Sequence, residues 1–122
     1  MQGKPQVWDL DLLGGKNDYA AVEKAGPAGH KEINRTNLKL EQACKKLKKN
    51  VVSRQLSLLR FRNSFPAFGF DAKLEVLNSD PEVLKLCWEK NGYKATLEAN
   101  MKDYSCNITA TDKMGKIVFN FR

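Results

Sequence analysis

Two carboxylates two residues apart, Asp9 and Asp11, are the first side chains in the sequence that could move protons. On a strand they would share a face and could come close, and paired carboxylates are the raw material of general acid–base chemistry. No neighbouring residue orients a substrate between them, so they read as solvated acids at a strand end. A second group is basic: Lys39, Lys45, Lys46, Lys48 and Lys49 crowd into one short stretch. Such a patch attracts phosphates or polyanions through counterion release, with Lys45, Lys46, Lys48 and Lys49 as the anion-contact candidates. The same spacing also describes the solvated face of a helix whose other side carries Leu40, Cys44 and Leu47. No helix-turn-helix, zinc-finger or RNA-stacking motif accompanies the lysines, so nucleic-acid binding is not expected. Cys44, Cys87 and Cys106, with the lone His30, lack the spacing of metal ligands. They read as free thiols, buried or half-buried. The sequence implies no metal and no cofactor.

The elements that position these groups follow from composition and periodicity. At 122 residues, 42% hydrophobic and 29% charged, the chain suits one soluble domain with an ordinary core. No apolar run approaches the roughly 18 residues of a membrane span, and Met-Gln-Gly-Lys-Pro does not open like a secretion signal. A cytoplasmic protein without a membrane partner is expected. The acceptor pattern Asn107-Ile108-Thr109 then carries no meaning.

Val7 to Leu13 reads as a short strand ended by Gly14-Gly15. Asp18 is a plausible N-cap for a brief helix through Val22, stopped by Gly26-Pro27. A loop follows to Arg35. A second helix is predicted over Leu38 to Lys49, capped by Thr36 or Asn37 and ended by Asn50. The third helix places Val51, Val52, Gln55, Leu56, Leu59 and Asn63 along one stripe, and Pro66 stops it by Phe65.

After Phe70 the period changes from helical to alternating. Leu74 and Val76, then Leu84, Leu86 and Trp88, then Tyr93, Ala95, Leu97 and Ala99 each alternate with polar residues. Tyr104, Cys106, Ile108 and Ala110 continue the pattern, as do Ile117, Phe119 and Phe121. Asn91-Gly92 is a strong signal for a two-residue hairpin. The predicted class is α+β: a short N-terminal strand and about three helices, then a five-stranded antiparallel meander. Residues 1–70 and 71–122 form its two parts, packed as one unit; something must cover the apolar side of the sheet, and the helix from Val51 to Asn63 is the nearest candidate.

Five blocks belong together: Pro5-Gln6-Val7-Trp8, Leu13-Gly14-Gly15-Lys16-Asn17-Asp18, Glu32-Ile33-Asn34-Arg35, Leu59-Arg60-Phe61-Arg62-Asn63 and Ser64-Phe65-Pro66-Ala67-Phe68. In this order and spacing they resemble the carboxy-terminal end of the bacterial sucrose phosphorylases, a branch of the α-amylase superfamily. The resemblance implies that residues 5–13 and 51–63 correspond to the last barrel strand and helix. The strands after Phe70 would be the small closing β domain. It implies a chain truncated before the catalytic part of the barrel, because Met1 stands where such an enzyme is finishing that barrel.

The two catalytic carboxylates of the family, held roughly 5 Å apart for a retaining mechanism, would lie upstream of this sequence. The chain is therefore expected to be a fragment without catalysis of its own. By resemblance, Arg35 would hydrogen-bond sugar hydroxyls through its guanidinium, supported by Asn34. Trp8-Asp9 and Thr36-Asn37 depart from the common aromatic pair and His-Tyr, which implies a sister specificity such as phosphorylated sucrose or glucosylglycerate. The alternative reading is a small self-assembling binding module that contacts anionic partners through the basic helix. Loss of a barrel wall would leave apolar stripes exposed and favour a homo-oligomer.

Overall fold

The computed structural model describes residues 6–34, 38–77 and 80–122. The chain divides into two compact units, one ending at Phe61 and one comprising Arg62–Arg122. The division falls inside a helix, earlier than the change of periodicity after Phe70, because the turn at residues 65–68 packs on the sheet.

In the first unit, α1 (Asp9–Leu12), α2 (Tyr19–Ala25) and α3 (Leu40–Leu47) are short, and α4 (Asn50–Ser64) runs on into the second unit. The strand expected over Val7 to Leu13 is instead one turn of helix. The amide of Leu12 donates to Trp8 O and that of Leu13 to Asp9 O. A lone strand needs a partner for its backbone groups, whereas a helical turn closes bonds on itself, and Asp9 and Asp11 suit the positive end of its dipole. Gly14, at φ 55°, ends the turn: its amide donates to Asp11 O while that of Gly15 donates to Leu10 O. That pair of bonds is a Schellman closure.

Asp18 caps α2 as the sequence indicates, its Oδ1 accepting from Ala21 N–H at 3.0 Å. The stretch expected as loop after Gly26 is in part a 3₁₀ helix, Gly26–Lys31. The helix α3 starts at Leu40, where the Gln42 side chain accepts from Lys39 N–H. The expected caps Thr36 and Asn37 lie outside the described residues. Asn50 opens α4 rather than closing α3. Along α4, Val52 is fully buried and Gln55, Leu56 and Leu59 are half-buried, an i, i+3, i+4, i+7 stripe. Val51, expected on that stripe, is exposed.

The second unit is a meander in sequence order: β1 (Lys73–Val76), β2 (Val83–Lys90), β3 (Tyr93–Asn100), β4 (Cys106–Thr111) and β5 (Ile117–Phe121). The register aligns the apolar alternation across strands, pairing Leu86 with Leu97, Leu97 with Ile108 and Ile108 with Phe121. The hairpin between β2 and β3 turns at Asn91 and Gly92, both at positive φ, as a type I′ turn requires. Against β2 and β3 the structure sets the turn that follows α4. Phe68 meets Trp88 edge-on at 5.3 Å and Phe65 meets Tyr93 at 5.7 Å. The side chain of Arg62 lies over the Phe68 ring, and Ala67 between the two phenylalanines is fully buried. Within this unit Phe65 and Phe68 cover the sheet at Tyr93 and Trp88.

Candidate functional site

The first unit brings together three segments that are far apart in sequence. Trp8 precedes α1, Asp18 precedes α2, and Glu32 to Asn34 follow the 3₁₀ helix. The indole Nε1–H of Trp8 donates to the backbone oxygen of Asn34 at 3.0 Å. The amide of Asp18 donates to the oxygen of Ile33 at 2.7 Å. The two residues before Arg35 are therefore tied by consecutive carbonyls to the N-caps of two helices. Asn34 is half-buried, while Trp8 and Asp18 are exposed.

A glycine corner holds this arrangement against α4. A Cβ on Gly14 would stand 3.3 Å from Val51 Cγ1 and 3.6 Å from Val52 Cγ2. The carbonyl of Gly14 accepts from Lys49 Nζ at 3.1 Å, and that of Asp11 accepts from Gln55 Nε2 at 3.2 Å. Gly29, buried, closes the other side: a Cβ there would run into the carbonyl oxygen of Val22. The close approach lets the 3₁₀ helix fold back on α2 and deliver Ile33 to Asp18.

Of the sugar-contact pair implied by resemblance, Asn34 is part of this junction and Arg35 lies outside the described residues. Asp9 and Asp11 are exposed in the first turn of α1. On a helix, residues two apart do not face each other, so the shared face that a strand would have given them is lost.

Among the lysines, Lys45 and Lys46 end α3 and Lys48 and Lys49 form the link to α4. Lys46 is half-buried, Lys45 and Lys48 are exposed, and Lys49 is engaged with Gly14. The thiols differ from expectation: Cys44 and Cys106 are exposed and only Cys87 is half-buried. Cys44 sits on the open side of α3 with Leu40 and Leu47, and Cys106 opens β4 near the sheet's end. No group of three or more potential metal ligands occurs among the described residues, and none of their helices is long and apolar enough to cross a membrane. Sequence reasoning missed Trp8 as a donor. Its chemistry was visible, but its acceptor lies 26 residues away.

No protein-family model matches the chain. Over 107 residues it is 43% identical to the sucrose 6(F)-phosphate phosphorylase of Ilumatobacter coccineus, a match covering 88% of this chain and 20% of that enzyme. It is 36% identical over 116 residues to the sucrose 6(F)-phosphate phosphorylase of Thermoanaerobacterium thermosaccharolyticum, covering 95% of this chain and 23% of the relative. Similarity extends to the glucosylglycerol phosphorylase of Marinobacter adhaerens, at 34% identity over 110 residues, 90% of this chain and 22% of the other. In three dimensions it matches the crystal structure of sucrose 6F-phosphate phosphorylase from Thermoanaerobacter thermosaccharolyticum with a TM-score of 0.83 and 34% identity. That superposition covers 96% of this chain and 23% of the other. The chain thus spans about a fifth of the length of these relatives, and matches their C-terminal part.

Proposed function

We propose that this chain, which corresponds to the C-terminal part of the sucrose phosphorylase-like enzymes, provides the barrel end and sugar-contact arm of a phosphate-dependent glucosyl transferase without being catalytic by itself. One observation carries the reading: nearly the whole chain superposes on less than a quarter of a sucrose 6F-phosphate phosphorylase. The acid pair singled out by sequence, Asp9 and Asp11, is exposed on a single helical turn, where residues two apart do not face each other. A retaining glycosyl transfer needs two carboxylates roughly 5 Å apart across the sugar. The phosphorylated sucrose in the names of the two first-named relatives is the substrate class we assign to the assembled enzyme.

The test is a fusion in which this chain replaces the last fifth of the Ilumatobacter enzyme. Phosphate-dependent cleavage of sucrose 6F-phosphate is expected from the fusion and not from the chain alone. A folded but inactive fusion would overturn the assignment, and turnover by the isolated chain would overturn its non-catalytic part.

A second reading, an anion-binding assembly module, is favoured by a contrast among the lysines. On the sheet Lys73, Lys85, Lys90 and Lys94 each bridge to a carboxylate. Among the described residues no ion pair engages Lys39, Lys45, Lys46 or Lys48. Salt-dependent retention on heparin would support it, and absence of retention at low salt would end it.

A further inference from the structure

The helix α3 is turned inside out. An amphipathic surface helix buries its apolar stripe and leaves its charges in water. Here the half-buried positions are Ala43 and Lys46, while Leu40, Cys44 and Leu47 are exposed, Leu40 at 80% and Leu47 at 46%. These three recur at i, i+4 and i+7 and therefore share one face. Lys39 and Lys48 bracket the helix and Lys45 follows Cys44, all three exposed. Glu41 is the one acid between Lys39 and Lys49. Among the described residues no ion pair engages Lys39, Lys45 or Lys48.

A partner for this face has to suit both its apolar row and its charge. A polyanion such as heparin would pair with the lysines and leave Leu40 and Leu47 in water. In water the row has only other copies of the chain to meet. A two-fold contact brings the same patch together, so it sets lysines against lysines, and like charges repel. A bilayer that carries anionic lipid accepts both at once. Apolar side chains enter the acyl boundary while the lysines stay at the level of the headgroups.

We infer that α3 is a docking surface for an anionic membrane, with Leu40, Cys44 and Leu47 entering the interface and Lys39, Lys45 and Lys48 meeting lipid phosphates. The inference rests on the anion-binding part of the second reading above and names the source of the anion. That no described helix can cross a bilayer does not bear on it, because a helix of this kind lies in the plane of the interface.

The test is flotation of the whole chain with vesicles of phosphatidylcholine alone and of equal parts phosphatidylcholine and phosphatidylglycerol. Binding is expected to the second kind only, and to fall as salt rises. Lys45→Ala combined with Lys48→Ala should weaken it about tenfold or more, and Leu40→Ser about fivefold. Lys102→Ala and Met114→Ser, exposed controls on the sheet unit, should change it by less than about twofold. In a Cys87→Ser background, an environment-sensitive fluorophore on Cys44 should shift to the blue on the anionic vesicles. The same fluorophore on Cys106, with Cys44→Ser, should not. Retention on heparin without vesicle binding overturns the inference and leaves the second reading standing; binding to neither overturns both. Equal binding to both kinds of vesicle removes the role of charge and overturns it as well. Leu40→Ser that dissolves a dimer while vesicle binding is unchanged assigns the row to a second copy and overturns it too.

Discussion

At the scale of single residues, the corner at Gly14-Gly15 shows how little freedom the junction has. A Cβ on Gly15 would overlap the Leu10 side chain and lie 3.1 Å from its carbonyl oxygen. Leu10 is buried and cannot swing away without opening the first unit. Gly15→Ala is expected to destabilise the chain by about 1–3 kcal/mol, the usual cost of overpacking, read as a lower urea midpoint.

A second residue-scale prediction concerns acid. The side-chain hydrogen bond from Lys90 holds the Asp71 carboxyl below the ordinary carboxylate value. A group depressed in the folded state contributes stability that is present above its unfolded pKa, about 3.9. That contribution is lost as pH falls through the lower folded value. Stability of the unaltered chain should therefore decline below about pH 4 more steeply than that of Asp71→Asn. Denaturant midpoints between neutral pH and about pH 3 check this, and parallel curves would refute it.

At the scale of elements, α4 separates two adjacent valines by one helical step. Val52 is fully buried and Val51 is 51% exposed. Val52→Ala is expected to cost about 2 kcal/mol from lost burial and a residual cavity. Val51→Ala should stay within about 0.5 kcal/mol. Equal losses would mean that the helix is rotated from the orientation described. The sheet makes a parallel case at Phe68, whose ring meets both Phe65 and Trp88. Phe68→Ala should cost about 2–3 kcal/mol, since the ring is half-buried rather than sealed, and near-ultraviolet circular dichroism should report the change at Trp88. The buried Nε1 of that tryptophan finds no hydrogen-bond partner among the described residues, which makes its indole a clean contrast to that of Trp8.

At the scale of the whole molecule, apolar side chains remain open on both units. Leu40 is 80% exposed and Val76 63%. Exposed apolar groups favour association, so the isolated chain is expected to elute as a dimer or larger species in size-exclusion chromatography with light scattering. A monomer that persists at high concentration would remove the assembly-module reading. It would leave the function proposed above as the one reading standing.

Much of the second unit is legible in its residue pattern, for a physical reason. Alternation of apolar residues places Leu86, Leu97, Ile108 and Phe121 on one face without reference to distant groups. Asn91-Gly92 then sets the first hairpin through its own φ angles. The stop of α4 before Pro66 and the cap at Asp18 are equally local. The first unit is different because its choices depend on partners far along the chain. Residues 7–13 read as a strand from their apolar content, yet residues 9–12 are helix because a helical turn satisfies its own backbone bonds. The cover of the sheet by Phe65 and Phe68, and the reach of Trp8 to Asn34, are contacts between segments whose meeting no local period encodes. Sequence alone determined the elements that close within a few residues. Tertiary structure decided where the remaining hydrogen bonds and rings found their partners, and that is where the candidate site lies.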